Sequence, residues 1–254
     1  KHFRDPTQKV IAKHGENLGS AYFDPVTEAD RGAEQRLRTI IEKEWPEFGL
    51  LGEEFGTLRP DADLYWVLDP VDGTRSFVCG LPTWTTLLGL ADRTQPVLGI
   101  IDQPFIGERW FGSSGGAYWV RQMGADITSS PTPIHCRPCA RIEDACLATT
   151  DPRPGVMFTE RQAVGFDHLA RRARVVRFST DAYGYVLIAS GSLDLVIESG
   201  LHPYDVAAVV PLVIAAGGIV TDWAGRPIRL NEDWDGTMVA AGDSRVHRAA
   251  LDAI

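Results

Sequence analysis

"WVLDPVDGTRSF", Trp66 to Phe77, ends an apolar run with two aspartates, Asp69 and Asp72, that flank Pro70 and Val71 and precede Gly73 and Thr74. Two carboxylates this close repel one another at neutral pH unless something positive lies between them. Leu64 to Leu68 reads as a β-strand delivering Asp69 at its carboxyl end, and a turn then leads into a helix starting near Thr74. That helix start would offer the backbone N–H groups of Gly73 and Thr74 to an anion. Carboxylates beside an anion site suit Mg²⁺, which takes hard oxygen ligands and shares them with substrate phosphates. The structural alternative is that Asp72 caps the helix and Asp69 makes a turn with Pro70.

Two more acidic positions bear on the choice. Glu53 and Glu54 end the short run "GLLGEEFG"; strand alternation points them to opposite faces, so only one can join a site. Asp205, in "ESGLHPYDVAA", stands at the start of an expected helix, where the helix dipole alone would favour an acid. Together the three positions are hard to explain by capping and turns.

The rest of the chain supplies a scaffold. After Thr27 a helix is expected, with Ala33, Leu37, Ile40, Ile41 and Trp45 as its apolar stripe and Pro46 and Gly49 as its stop. Strand-like runs follow at "GLLGEE", "LYWVLD", "TTLLGLA", "VLGIIDQ", "ERWFG" and "GAYWV", suggesting an antiparallel meander backed by helices. From Ser129 to Pro138 the composition turns to Ser, Thr and Pro, so the chain divides into an N-terminal α+β part, 1–128, and a C-terminal α/β part, 129–254. In the second part strands and helices alternate, and Pro211 should kink the helix "YDVAAVVPLVIAAGG".

Composition narrows the function. The 254 residues are 44% hydrophobic and 23% charged, ordinary for a globular protein that needs no staples. No apolar run is long enough for a membrane span and no signal-peptide pattern opens the chain, so a cytoplasmic protein without a membrane partner is expected. Lys1 in place of methionine suggests that a short N-terminal piece precedes it. A net charge of −9 argues against a nucleic-acid partner. The one basic run, "ARRARVVR" (Ala170 to Arg177), reads as a solvated helix end entering a strand rather than an RNA patch. Cys136 and Cys139 form a CxxC beside His135, but no second CxxC or HxxxH completes a zinc site.

In order along the chain, "PVTEAD" (Pro25 to Asp30), "GEE" (Gly52 to Glu54), "DPVDGT" (Asp69 to Thr74) and "YDVAA...AAGG" (Tyr204 to Gly218) resemble the motifs of the inositol monophosphatase family of Mg²⁺-dependent, lithium-sensitive phosphomonoesterases. One departure is Tyr204, where a Trp usually precedes the last metal aspartate. The resemblance implies a layered α/β/α/β/α sandwich, a homodimer, and two or three Mg²⁺ per site. It makes Glu53, Asp69 and the Val71 carbonyl ligands of one ion and Asp69, Asp72 and Asp205 ligands of a second, with a third, weaker ion near Glu53. Thr74 would orient the attacking water, Asp30 would accept the threonine proton, and the Gly73 and Thr74 N–H groups would hold the phosphate. Asp30 also completes a T-x-x-D capping pattern with Thr27.

Within the family, "DPVTEADR", "IDQPFIGERWFG" and "GLHPYDVAA" look most like the branch that hydrolyses histidinol phosphate in histidine biosynthesis. Asp181 falls where inositol-hydrolysing relatives carry a small neutral residue, and Glu198 where they bind a hydroxyl. Two carboxylates facing the leaving group would favour the ammonium of histidinol, although Asp181 could instead cap the helix after it. Tyr183, Tyr204 and Trp84 are candidates to pack against an imidazole ring, and His202 is read as a wall residue. Inositol 1-phosphate is the alternative substrate. A regulatory, RNA-associated member is a remote alternative, disfavoured by the intact acid set.

Overall fold

The computed structural model describes residues 2–5, 7, 10–12, 25–123, 126–230 and 234–254. A two-stranded ribbon of β1 (Val10–Ala12) and β2 (Pro25–Thr27) leads into α1 (Glu28–Glu44). Next come β3 (Gly49–Gly52), β4 (Gly56–Leu58), β5 (Leu64–Asp72) and the short α2 (Thr74–Val78). β6 (Thr85–Asp92), β7 (Pro96–Gln103), β8 (Glu108–Ser113) and β9 (Gly116–Met123) then form an antiparallel meander. The short β10 (Asp126–Ile127) and β11 (Thr132–Pro133) both pair with β9, so this sheet takes its last strand from beyond residue 128. Among the described residues it has nine strands, and the parallel neighbours β3 and β5 lie at the end carrying Glu53 and Asp69.

A second sheet follows, ordered β13-β12-β14-β16-β15. Its strands are β12 (Cys146–Ala148), β13 (Val175–Arg177), β14 (Leu195–Glu198), β15 (Ile219–Thr221) and β16 (Met238–Ala241). Between and after them come α3 (Glu160–Ala170), α4 (Tyr183–Ala189), α5 (Pro203–Val206), α6 (Val209–Ala215) and α7 (Ser244–Leu251). Strand parity sets the layers. Val196, Met238 and Ala240 face a core shared with Tyr185 and Ile188 of α4, Leu212 of α6, and Leu87 and Ile101 of the first sheet. Leu195, Ile197, Val239 and Ala241 face Phe166 and Leu169 of α3 and Val246 of α7 on the other side. Trp66 and Leu68 pack against Ile41 of α1, completing a sandwich of helix, sheet, helix, sheet and helix. Among the described residues no helix is long and apolar enough to cross a membrane.

Two expectations are corrected. The inward face of α1 is only partly the apolar stripe: Ile41 is buried and Leu37 packs beside it, but Ile40 and Trp45 are 55% and 39% exposed, and the buried positions Asp30, Glu34 and Arg38 are polar. Glu34 accepts the backbone N–H groups of Glu54 and Phe55 at 2.8 and 3.2 Å, which the β3–β4 turn leaves without strand partners, and Arg38 Nε donates to Glu34 at 2.7 Å. Polar groups face inward because a turn needs them there.

The expected kink at Pro211 is a complete break ahead of it, between α5 and α6. The proline ring excludes the carbonyl four residues back, at Ala207, while its missing N–H falls in the first turn of α6, where none is required. Gly89, Gly99 and Gly112 stand in mutual register across β6, β7 and β8 beneath this break. A Cβ on Gly89 would lie 2.6 Å from the Ala207 carbonyl carbon, one on Gly112 2.6 Å from the Leu212 Cα, and one on Gly99 would overlap the Ala208 oxygen. The glycine row lets the α5–α6 backbone lie directly on the sheet, which fixes the height of Asp205.

Candidate active site

Asp69 and Asp72 are an odd number of residues apart and would point to opposite faces of a regular strand. β5 pairs Asp69 with Leu87 and Asp72 with Thr85, so three steps on one strand match two on the other. This β-bulge turns both side chains to one face. Pro70 cannot donate to the ladder but its carbonyl accepts from Thr86 Oγ1 at 2.8 Å, and the Val71 N–H donates to Asp69 Oδ1 at 3.0 Å. The Asp69–Asp72 pair is thus set on a bulge that converges two carboxylates. Ligand oxygens of Asp69, Asp72 and Asp205 all lie within 4.8 Å of one another.

Asp205 is the third residue of α5, and its Oδ2 accepts the His202 N–H at 2.7 Å. Glu53 enters from the end of β3, held beside β5 by its N–H on the Leu68 carbonyl at 3.2 Å, and lines the same cleft. Glu54 turns the other way, toward Arg31 at 3.6 Å.

Burial, followed by the charges of Glu53, Asp72 and Asp205, holds the Asp69 carboxyl well above the usual range. Burial and the charges of Asp181 and Asp205 do the same to Asp72, against which the Ala182 N–H donates at 2.7 Å. Like charges in a desolvated cleft are unfavourable until a cation joins them. The donors are carboxylate oxygens with a backbone carbonyl beside them, a set that fits a hard divalent cation such as Mg²⁺.

Gly73 precedes α2 with φ of 78°, a left-handed conformation for which glycine carries no penalty. Thr74 Oγ1 lies 3.3 Å from Asp30 Oδ1 and 3.0 Å from the Val71 carbonyl. Asp30 is fully buried, and burial raises its pKa while hydrogen bonds from Thr27 oppose the rise. Its other oxygen, Oδ2, accepts from the Thr27 N–H at 2.8 Å and from the Thr27 hydroxyl. Capping uses one oxygen and Thr74 the other, so the two roles of Asp30 do not compete.

Asp181 and Glu198 also line the cleft. Asp181 does not cap α4, whose N-cap is Ala182 without a side-chain bond. Its carboxylate accepts from Ser76 Oγ at 2.8 Å and sits where a Cβ on Gly73 would be, 2.9 Å from its Cγ. Glu198 accepts from Thr150 Oγ1 at 2.5 Å and from the Tyr185 hydroxyl at 3.1 Å. Burial pushes Asp181 up to about 6, and burial with the Asp181 charge pushes Glu198 up to about 7.

Of the aromatic candidates, Tyr204 lines the cleft with His202 stacked on it at 5.1 Å. Tyr183 packs edge-on against Trp110 at 5.8 Å, and Trp84 joins Phe3 and Phe77 in an aromatic cluster behind the Pro70–Val71 turn, so neither reaches the cleft. Sequence reasoning missed Ser76, Thr150 and Tyr185, whose roles exist only once distant segments meet; the hydroxyl two places after Thr74 was the one local hint.

The profile of the inositol monophosphatase family matches residues 2–253. The bifunctional phosphatase IMPL2 (chloroplastic) of Arabidopsis thaliana is 39% identical over 97% of this chain and 70% of its own length. The histidinol-phosphatase of Chlorobaculum parvum is 32% identical over 91% of this chain and 83% of its own. The solved structure of an inositol monophosphatase from Zymomonas mobilis superposes with a TM-score of 0.82 and 41% identity, covering 99% of this chain and 89% of that one. Matched over nearly its full length, the chain belongs to the inositol monophosphatase family, whose members among these relatives are phosphatases of phosphate monoesters.

Proposed function

We propose that the protein hydrolyses histidinol phosphate to histidinol and phosphate. The observation that carries this reading is a second pair of carboxylates lining the cleft, the half-buried Asp181 and the buried Glu198, in addition to the acids Glu53, Asp69, Asp72 and Asp205. Each is held at a raised pKa, so an ammonium group bound beside them would offset the cost of keeping negative charge in the cleft. The named histidinol-phosphatase among the relatives supports the same substrate.

Glu53, Asp69, the Val71 carbonyl, Asp72 and Asp205 would hold Mg²⁺, two or three ions per site. Bound there, Mg²⁺ supplies charge neutralisation and lowers the pKa of a coordinated water. Thr74 Oγ1 would orient the attacking water by accepting its hydrogen bond, with its own hydrogen directed at Asp30 Oδ1 (3.3 Å) and the Val71 carbonyl (3.0 Å). The Gly73 and Thr74 N–H groups face the phosphate oxygens. We also take the enzyme to be cytoplasmic, homodimeric and lithium-sensitive, with the last metal aspartate and the leaving-group contacts on the part beyond residue 128.

A phosphate-release panel of histidinol phosphate, inositol 1-phosphate and fructose 1,6-bisphosphate, with Mg²⁺ and with chelator, tests this. Histidinol phosphate should show the highest kcat/KM, and chelator should abolish release. The second reading, inositol 1-phosphate, is favoured by the Zymomonas neighbour; a preference for that ester would replace the first.

A further inference from the structure

We propose that Thr150 is a positioning residue that sets the geometry of both carboxylates at the leaving-group end, an inference that rests on reading Asp181 and Glu198 as leaving-group contacts. β12 and β14 are parallel, with Leu147 opposite Leu195 and Ala148 opposite Val196. Two residues further along each chain the same register brings Thr150 beside Glu198. The carboxyl ends of parallel strands are where open α/β sheets form their binding crevices.

Thr150 makes three bonds there, to two segments. Its carbonyl accepts the Ser179 N–H at 3.0 Å, its Oγ1 accepts the Asp181 N–H at 3.2 Å, and its hydroxyl hydrogen goes to Glu198 Oε1 at 2.5 Å. Because the Asp181 N–H can only donate, the single hydroxyl hydrogen is committed to the glutamate. Ser179 and Asp181 have φ of 56° and 46°, left-handed values that side chains other than glycine adopt only where the surroundings enforce them. Thr150 bonds both of these residues. The enforced turn swings the Asp181 carboxylate onto Ser76 and Gly73 and aims the next N–H, that of Ala182, at Asp72. One hydroxyl thus ties the glutamate of one strand to the strained turn that presents the aspartate.

Valine keeps the shape of threonine and removes both side-chain bonds, whereas serine keeps them. Steady-state kinetics at saturating Mg²⁺ with histidinol phosphate, inositol 1-phosphate and 4-nitrophenyl phosphate, together with thermal melting, test the assignment. Thr150→Val should raise KM tenfold to a hundredfold for whichever alcohol phosphate the unmodified enzyme prefers, with kcat within threefold. The specificity constant for 4-nitrophenyl phosphate, whose leaving group offers neither ammonium nor aliphatic hydroxyl, should fall less than threefold. Thr150→Ser should stay within threefold of the unmodified enzyme on the preferred alcohol phosphate and on 4-nitrophenyl phosphate. Equal losses on the two ester types, no loss on either, or a serine variant as poor as the valine one would each overturn the proposal. If Thr150→Val melts below the assay temperature, Thr150→Ala carries the same comparison. A preference of the unmodified enzyme for inositol 1-phosphate would remove histidinol phosphate as substrate, while a selective loss in Thr150→Val would still support the role of Thr150.

Discussion

The inward face of α1 and the floor of the cleft both take carboxylates out of water, and they treat the charge in opposite ways. On α1, Glu34 is fully buried, yet Arg38 meets it at 2.7 Å and two backbone N–H groups complete its shell. In the cleft, Asp69, Asp72 and Asp205 converge within 4.8 Å, and acids are the leading charges acting on Asp69 and Asp72. A buried acid neutralised from within the chain serves the fold. Acids that raise one another's pKa store an unfavourable interaction that a bound cation relieves, so their charge serves a ligand.

Opposite signs of stability change follow on mutation. Asp69→Asn or Asp205→Asn should lower turnover about a thousandfold or more, roughly 4 kcal/mol of transition-state stabilisation, because each exchanges a charged hard ligand for an amide. The same variants should melt higher than the unmodified protein in chelator, since a repelling charge is gone. Full activity in saturating Mg²⁺ would remove these residues from the metal site. Arg38→Leu should do the reverse, costing about 3 to 5 kcal/mol in urea unfolding by stranding Glu34 in the interior. A loss under about 1 kcal/mol would mean that water reaches Glu34 and the contrast with the cleft is not one of burial.

A third measurement concerns pH. Glu198 moves from an ordinary 4.5 to about 7 in the folded protein, so the folded state holds a proton that the unfolded state releases. Its stabilising contribution is complete below about 4.5 and is lost as pH rises through about 7, on the order of 3 kcal/mol. Urea midpoints of the metal-free protein should fall across that window, and Glu198→Gln should flatten the decline. Parallel curves for the two proteins would mean that Glu198 is ionised throughout.

The smallest effect is expected at Asp30. As a cap, Asp30→Asn should cost about 1 kcal/mol or less of stability. As the partner of Thr74 it should also lower the rate, and the double variant with Thr74→Ala should be within threefold of the worse single variant. Multiplying losses would show that Asp30 and Thr74 act independently.

Much of this was legible along the chain. The strand runs from "LYWVLD" to "GAYWV" are strands in the fold, because each carries its apolar pattern within six to nine residues. The acids were visible as "GEE", "DPVDGT" and "YDVAA" because charge placed at the ends of apolar runs is itself a local pattern. The face of α1 was misread in part, for a physical reason: Ile41 and Leu37 meet apolar strand residues as expected, but beside them the β3–β4 turn presents bare N–H groups, and there Glu34 and Arg38 face inward instead. The break before Pro211 is local to the proline, but the close seat of the broken helix on the sheet depends on Gly89, Gly99 and Gly112, far upstream in the chain.

By itself, then, the sequence determined the kinds of element, the acidity of the cleft and its membership of a family of phosphatases, all properties of short windows or of motifs in order. Tertiary structure alone decided that Asp69 and Asp72 share a face, that Thr74 meets Asp30 across 44 residues, that the Ala182 N–H meets Asp72 across 110, and that Thr150 joins Glu198 to Asp181. Periodicity records which side of its own element a residue occupies. Register, bulges and the contact of one element with another depend on packing between segments far apart in the chain, and the chemistry of the cleft is built from those contacts.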